Sequence, residues 1–419
     1  MSVRLFHPMV APHIQQVARA LHEAGQLDRY VTTITDRPTA RAQRALCRLG
    51  RFAGLDLARE FSRRRVTEVP ADVVESHPWA ELFRVGFARA TRRDLRWHDG
   101  LWDILEQRFD RRVARSLHPG LTGVHGFLYS SLDTFRRARA LGLRIAYDLP
   151  SLESGYVEDL LRSETEKFPE LDTPFRRWVL RRTPRRNARR RAEFALADIV
   201  FANSHVTKAS YAATGHDVSK VRVLHLGAPP CVERDLALAP RPAGRLSLLW
   251  DGGFSIIKGA HYVLEAWRRH QLGRHATLDV YGSVSLPERV LQPLPEGIVF
   301  HGSVPRTELL DRMRDAEALL FPSLCDGFGM VATEAWSRGT PVLTTPRAGA
   351  ADLVRDGVNG RLFAAADAEA IHTTVQWCLE NRATLHAMRE AALATAAGWQ
   401  WADYRRELTA HLRAAGLFG

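Results

Sequence analysis

Cysteine is rare in this chain of 419 residues: Cys47, Cys231, Cys325 and Cys378 stand far apart. That excludes a disulfide framework and the paired spacings of structural zinc sites, and it fits a reducing compartment. Long apolar runs are missing too. The start, MSVRLFHPMV, leads straight into a first strand, so neither a signal peptide nor a membrane span is expected and the chain reads as cytoplasmic. Low-complexity tracts are absent, and hydrophobic residues, 45% of the total, are spread along the whole length, which excludes disorder. No Asp-X-Asp triplet occurs, nor a His and carboxylate spacing suited to a metal, so metal-independent chemistry without a cofactor is expected. Acidic residues are the scarcer charge, 47 against 59 Lys and Arg, for a net +12. Such a chain seeks anions: nucleic acid, an anionic membrane surface, or phosphorylated or acidic substrates.

What is present is a repeated alternation of short apolar runs with longer amphipathic segments, the pattern of parallel sheets with helices on both faces. The length exceeds a single core and implies two domains. Strands are expected at Val3 to Phe6, Tyr30 to Thr33, Thr122 to Gly126, Leu143 to Asp148, Ile199 to Ala202 and Val221 to Leu226. A proline-rich stretch from Ala228 to Gly244 reads as a linker. A second series follows at Leu246 to Trp250, Thr277 to Tyr281, Gly297 to His301, Ala318 to Phe321, Pro341 to Thr344 and Gly360 to Phe363. The expected fold is α/β, two Rossmann-like doubly wound parallel-sheet domains, residues 1–232 and 243–396, facing across a cleft where ligands of such sheets bind. Residues 397–419 form a terminal helix, with Trp401, Tyr404, Leu408 and Leu412 at helical spacing, expected to bury one face against a neighbour; the spacing does not say which domain receives it, a return to the first domain being one option.

The segment FPSLCDGFGMVATEAWSRGTPVL, Phe321 to Leu343, carries the most chemistry. A strand ends at Phe321, a loop with Gly327 and Gly329 follows, and a helix begins near Met330. Its free backbone N–H groups, including those at Phe328, Met330 and Val331, suit a diphosphate, and glycine lets phosphates come close. Asp326 in the loop and Glu334 on the helix have seven residues between them. Carboxylates accept paired sugar hydroxyls, so Asp326 suits a hexose and Glu334 a ribose. The alternative is that Glu334 caps or solvates its helix.

This segment resembles the signature of the family 4 glycosyltransferases, retaining enzymes of GT-B fold, whose two acids are likewise separated by seven residues. The family usually has glutamate where Asp326 stands. A second stretch, LLWDGGFSIIKGAHYVLEAW from Leu248 to Trp267, resembles the family's first C-terminal strand, its glycine turn at Gly252 and Gly253, and its phosphate-binding lysine, Lys258. An ammonium there can neutralise charge on a leaving diphosphate. The family often adds an arginine where this chain has Gly253. FHGSVPRTELLDRMRDAEALLFPS resembles the part that flanks the base, and GAADLVRDGVNGRLF the next strand pair, with Asp352 where glutamate is commoner. The resemblance implies transfer of a hexose from a UDP- or GDP-sugar to a saccharide or lipid-linked acceptor, in cell-surface polysaccharide or glycolipid assembly. It implies a front-face route in which the departing diphosphate helps deprotonate the acceptor. In the N-terminal half it points to strand tips, which here carry His125 and Asp148 as candidates for contact with the sugar or acceptor; a satisfied structural role is the alternative.

From Arg176 to Arg191 the chain reads RRWVLRRTPRRNARRR, with nine arginines. A second basic stretch, Arg41 to Arg65, sets Leu46, Leu49, Phe52 and Leu55 among arginines, as interfacial helices do. Together they favour peripheral docking at the inner, anionic face of the cytoplasmic membrane over a solvated face or a phosphate-bearing acceptor. Nucleic acid is not expected, because aromatic platforms do not interleave the arginines. The rivals are a nucleotide-sugar-binding protein without transfer and an epimerase on the same fold. A thermal-shift panel of UDP-, GDP- and ADP-sugars is expected to single out one donor by a raised melting temperature; no shift with any of them rejects a nucleotide-sugar site.

Overall fold

A computed structural model describes residues 2–36, 41–52, 57–62, 64–79, 81–84, 95–239 and 244–418. Leu55 of the basic stretch Arg41 to Arg65 and residues 240–243 of the linker lie outside the described residues, as do the side chains of Leu49 and Phe52. The first sheet contains β1 (Val3–Phe6), β2 (Leu27–Thr32), β3 (Val74–Ser76), β4 (Gly123–Phe127), β5 (Arg144–Leu149), β6 (Ile199–Ala202) and β7 (Val221–Val223). The second contains β8 (Leu246–Asp251), β9 (Ala276–Tyr281), β10 (Ile298–Gly302), β11 (Ala318–Phe321), β12 (Val342–Thr344) and β13 (Gly360–Leu362). Their orders are β3-β2-β1-β4-β5-β6-β7 and β10-β9-β8-β11-β12-β13, and every strand pair is parallel. Central strands such as β1, β4, β6 and β11 are buried at every position, as apolar runs covered by helices on both faces must be.

The local grammar is simple. In the helix Pro12–Glu23 the proline occupies the opening turn, where its missing N–H costs nothing. Ile14, Val17, Ala18 and Leu21 form one fully buried stripe, and Gly25 ends the helix with φ +66°. The edge strand β3 escaped the sequence analysis because three residues are too few to show a period. β7 is shorter than expected, with Leu224 and Leu226 buried in the core beyond its end.

Each strand order reverses once, between β1 and β4 and between β8 and β11. The chain leaves adjacent strands in opposite directions there, which opens a crevice at their carboxyl ends. The loops that follow β8 and β11 are those of Lys258 and of Asp326 to Gly329.

After the second sheet the chain returns to the first. Ala228 bridges Gln400, and the helix Trp401–Ala414 lies along the helix Pro12–Glu23, where Arg405 bonds Glu23 at 2.9 Å and Gln16 at 2.6 Å. Tyr404, Leu408 and Leu412 join the cluster of Val3, Leu5, Ile14, Val17 and Leu21. Leu408 is fully buried, so Leu408→Ala is expected to cost about 2–5 kcal/mol in urea unfolding, and a loss below about 1 kcal/mol would reject this packing.

Candidate active site

The loop after β11 is locked from several sides. Gly329 opens the helix Met330–Trp336 with φ +83°, and an added Cβ there would stand 2.5 Å from the Phe321 ring; only glycine satisfies both demands. Phe328 N–H donates to Asp326 Oδ1 at 3.2 Å. That leaves the other oxygen of Asp326 for the Lys258 ammonium, which it contacts directly. Lys258 ends a short 3-10 turn after β8 and also lies 4.8 Å from the Phe321 ring centre. Burial pulls its ammonium down to about 8, with Cys325 and Asp251 opposing; the Asp326 contact favours the charged form.

Glu334 faces the same side. It is buried and accepts a 2.6 Å contact from Arg306, the first residue of the helix Arg306–Asp315. Burial raises its carboxyl to about 7, Arg306 pulls it back and Asp251 pushes it further up. Asp251, at the tip of β8, is itself raised to about 6 by burial, against a backbone bond from Gly252 and the charges of Lys258 and Arg306. Two cations and three carboxylates thus share a partly buried cluster, and an anionic ligand can exchange with the carboxylates for Lys258 and Arg306. Sequence reasoning missed Arg306 and Asp251. The first had no motif beyond its place after a strand and Pro305, and the second is an unremarked strand end.

The structure places the remaining expected residues unevenly. Gly252 has φ +104° and open space where a side chain would stand, and at Gly253 an added Cβ would meet only Ser283 Oγ, at 3.8 Å. Gly327 has a different reason to be glycine from the one expected: its Cβ would lie 2.6 Å from the Pro150 carbonyl oxygen and 3.0 Å from Ser151 Cα in the first domain. The Phe328 and Met330 side chains pack with the first domain's core, and Val331 with the second's; only their backbone groups remain for a ligand. His125 is fully buried, stacked between Phe127 and Phe201, with Nε2 bonded to Asp148 Oδ2 at 2.9 Å. Its ring is thus not open to solvent, and its bonded partner is the buried Asp148. His7 and His13, which follow β1 and pack on Phe127, were not anticipated. Burial lowers both, His7 to about 4.

The two domains meet around this loop. The Gly327 carbonyl accepts from Ser204 Oγ at 2.5 Å and Thr207 Oγ1 at 3.1 Å. Asp352 Oδ2 accepts from His205 N–H at 2.7 Å and lies 2.9 Å from His225 Nε2; these bonds outweigh burial and hold its carboxyl below the usual range. Glu164 spans the interface to His261 at 3.0 Å and Tyr262 at 2.8 Å. Between the domains lies a cavity of about 390 Å³, lined by Ser151, Arg176, Arg190, Lys258, Asp326 and Gly327 among others.

That cavity changes the meaning of the arginine stretch. Its helix, Pro174–Leu196, is capped by Thr173 and opened by Pro174. Arg182 and Arg186 pair with Asp103 at 2.6 and 2.8 Å, Arg189 pairs with buried Asp110, Arg190 bonds Ser154 at 2.5 Å, and Arg177 pairs with Asp172. Arg181, Arg185 and Arg191 stay exposed. Most of this stretch is therefore internal ion pairing and cleft wall, which narrows any anion-facing surface on this helix to its exposed arginines. Histidine–carboxylate clusters also occur in space, His205, His225 and Asp352, and His270, Glu369 and His372. In the first cluster each member comes from a different part of the chain, and in the second Glu369 and His372 share one helix but meet His270 only through packing. No described helix is long and apolar enough to cross a membrane.

Comparison with known proteins agrees with this geometry. Residues 246–395 match the family model described as Glycosyl transferases group 1, so the second domain is a domain of that class. The chain is similar to D-inositol 3-phosphate glycosyltransferase 1 of Catenulispora acidiphila, 36% identical over 111 residues, covering 26% of this chain and 27% of the relative. It is similar to the glycogen synthase of Mycobacterium tuberculosis, 27% identical over 184 residues, covering 42% and 44%. The chain thus spans between a quarter and a half of the length of these relatives. Among solved structures, HepE of Anabaena in complex with UDP and glucose has a TM-score of 0.63 at 14% identity, covering 99% of this chain and 100% of that one. Sucrose-phosphate synthase of Thermosynechococcus elongatus reaches 0.65 at 17% identity, covering 99% and 98%. The fold is the GT-B arrangement of two Rossmann-like domains.

Gly327 provides a direct check on the interface. Gly327→Ala is expected to force the domains apart and raise the radius of gyration in small-angle X-ray scattering; an unchanged value with a folded variant rejects the close approach.

Proposed function

We propose that this chain is a retaining, metal-independent glycosyltransferase that moves a hexose from a UDP- or GDP-sugar to a saccharide or lipid-linked acceptor, in the assembly of a cell-surface polysaccharide or glycolipid. The observation that carries the reading is the contact of Lys258 with Asp326 at the switch point of the second sheet, with Glu334 and Arg306 on the same side. The group 1 glycosyltransferase domain over residues 246–395 supports it, as do relatives named for glycosyl transfer.

In this reading the donor diphosphate displaces Asp326 from Lys258 and Glu334 from Arg306. Both cations then face charge that grows as the glycosidic bond loosens, when such stabilisation lowers the barrier. The freed Asp326 accepts hydroxyl protons of the hexose, and Glu334 the paired hydroxyls of the ribose. The absence of Asp-X-Asp in the sequence leaves leaving-group charge to Lys258, Arg306 and backbone N–H groups. The acceptor approaches from the first domain, past Asp148 with His125 behind it and the arginines of the cavity wall. Its hydroxyl proton passes to the departing diphosphate on the same face of the sugar. The work is done in the cytoplasm; membrane contact with a lipid-linked acceptor falls to the exposed Arg181, Arg185 and Arg191.

Lys258→Ala and Glu334→Ala are each expected to reduce kcat/KM by about 10²-fold or more in donor turnover assays, and near wild-type rates in folded variants reject these roles. The pH dependence follows from Glu334. Its raised pKa keeps the free enzyme protonated below about 7, where the carboxylate that accepts ribose hydroxyls is lost, so kcat/KM falls as pH drops through about 7. Glu334→Gln is expected to abolish that acid limb while lowering the plateau; persistence of the limb assigns it to another group.

A further inference from the structure

The second domain carries another cluster at the far end of its first helix. Helix Ala260–His270 starts just after Lys258 and ends at His270, about 16 Å away at ~1.5 Å rise per residue. There it meets the first turns of the helix Ala368–Glu380, which present Glu369 and, three residues on, His372. One ring nitrogen from each histidine and a carboxylate oxygen of Glu369 lie within 4.8 Å of one another. His270 Nε2 is 3.1 Å from Glu369 Oε2, yet it lacks hydrogen-bond geometry, and His270 Nε2 and His372 Nδ1 are both buried without a hydrogen-bond partner.

Hydrogen-bonded histidine pairs do not look like this. At the other cluster, His205 and His225 aim their nitrogens at Asp352, and the bonds account for the arrangement. Here the two rings lie face to face, centroids 3.7 Å apart and planes 3° from parallel. Two imidazolium ions repel in such a stack, so at least one ring is neutral with a free lone pair. Burial and the neighbouring His270 hold His372 below its usual value. Buried polar atoms without partners are rare in folded proteins and call for a physical reason.

We propose that His270, Glu369 and His372 bind a divalent transition-metal ion of the zinc class, with water completing a tetrahedron. Two imidazoles and one carboxylate are the donor set such ions take. A small turn of the stacked rings brings their in-plane lone pairs onto the ion. Arg268, in the last turn of helix Ala260–His270, is directed away onto the carbonyls of Val290 and Leu291, while Arg269 is exposed. An ion held here pins the helix that follows Lys258 to its neighbour and stiffens the domain from behind the cleft. The proposal does not depend on the transfer reaction.

The test uses tag-free full-length protein, stripped with EDTA, carrying Asp352→Asn to silence the other cluster. Calorimetric titration with zinc chloride is expected to give one ion per chain and a raised melting temperature, and cobalt(II) in its place to give the visible absorption of a tetrahedral site. Adding His372→Ala, or the isosteric and exposed Glu369→Gln, is expected to weaken zinc binding by about tenfold or more, with unchanged circular dichroism. Absence of zinc binding in the Asp352→Asn protein overturns the proposal, as does equal affinity after either further substitution.

Discussion

The close approach of one loop to the opposite domain is the constraint on which the rest of this molecule depends. The Gly327 carbonyl is gripped by Ser204 and Thr207, while the missing side chain of Gly327 lets Pro150 and Ser151 come within van der Waals distance. Phe328, the next residue, is buried in the first domain's core. A loop fixed in this way from outside its own domain holds Asp326 against Lys258 at the mouth of the cleft. Domain seating and site geometry are therefore one event: whatever moves the domains also moves the carboxylate.

The charges follow from the same closure. Burial raises Asp251 to about 6 and Glu334 to about 7, so this cluster is tolerable only while Lys258 and Arg306 stand beside it. The cations are equally dependent on the acids. An anionic ligand that takes over the cations leaves the carboxylates free to accept hydroxyl protons. Such an exchange suits a molecule that brings a diphosphate and sugars together.

Much of this was legible in the chain. Among the described residues, the alternation of apolar runs and amphipathic segments located twelve of the thirteen strands and missed the edge strand Val74–Ser76. The spacing of Asp326 and Glu334 around a glycine loop marked the turn and helix that follow β11 at the switch point of the second sheet. Arg306 was not legible, because it faces Glu334 only once the helix Arg306–Asp315 has packed against the helix Met330–Trp336. The burial of His125 was equally hidden, since a strand-tip histidine reads alike whether it faces a cleft or a phenylalanine stack.

By itself, then, the sequence determined the two parallel sheets, the switch-point loop and the residue types in it, since these follow from local periodicity, turn chemistry and spacing. Tertiary structure alone decided which charges meet. It drew Arg182, Arg186 and Arg189 of the arginine stretch into internal pairs with Asp99, Asp103 and Asp110, and it joined His270 to Glu369 and His372. Ion pairing acts over a few ångströms between residues far apart in the chain, and no pattern along the chain records it.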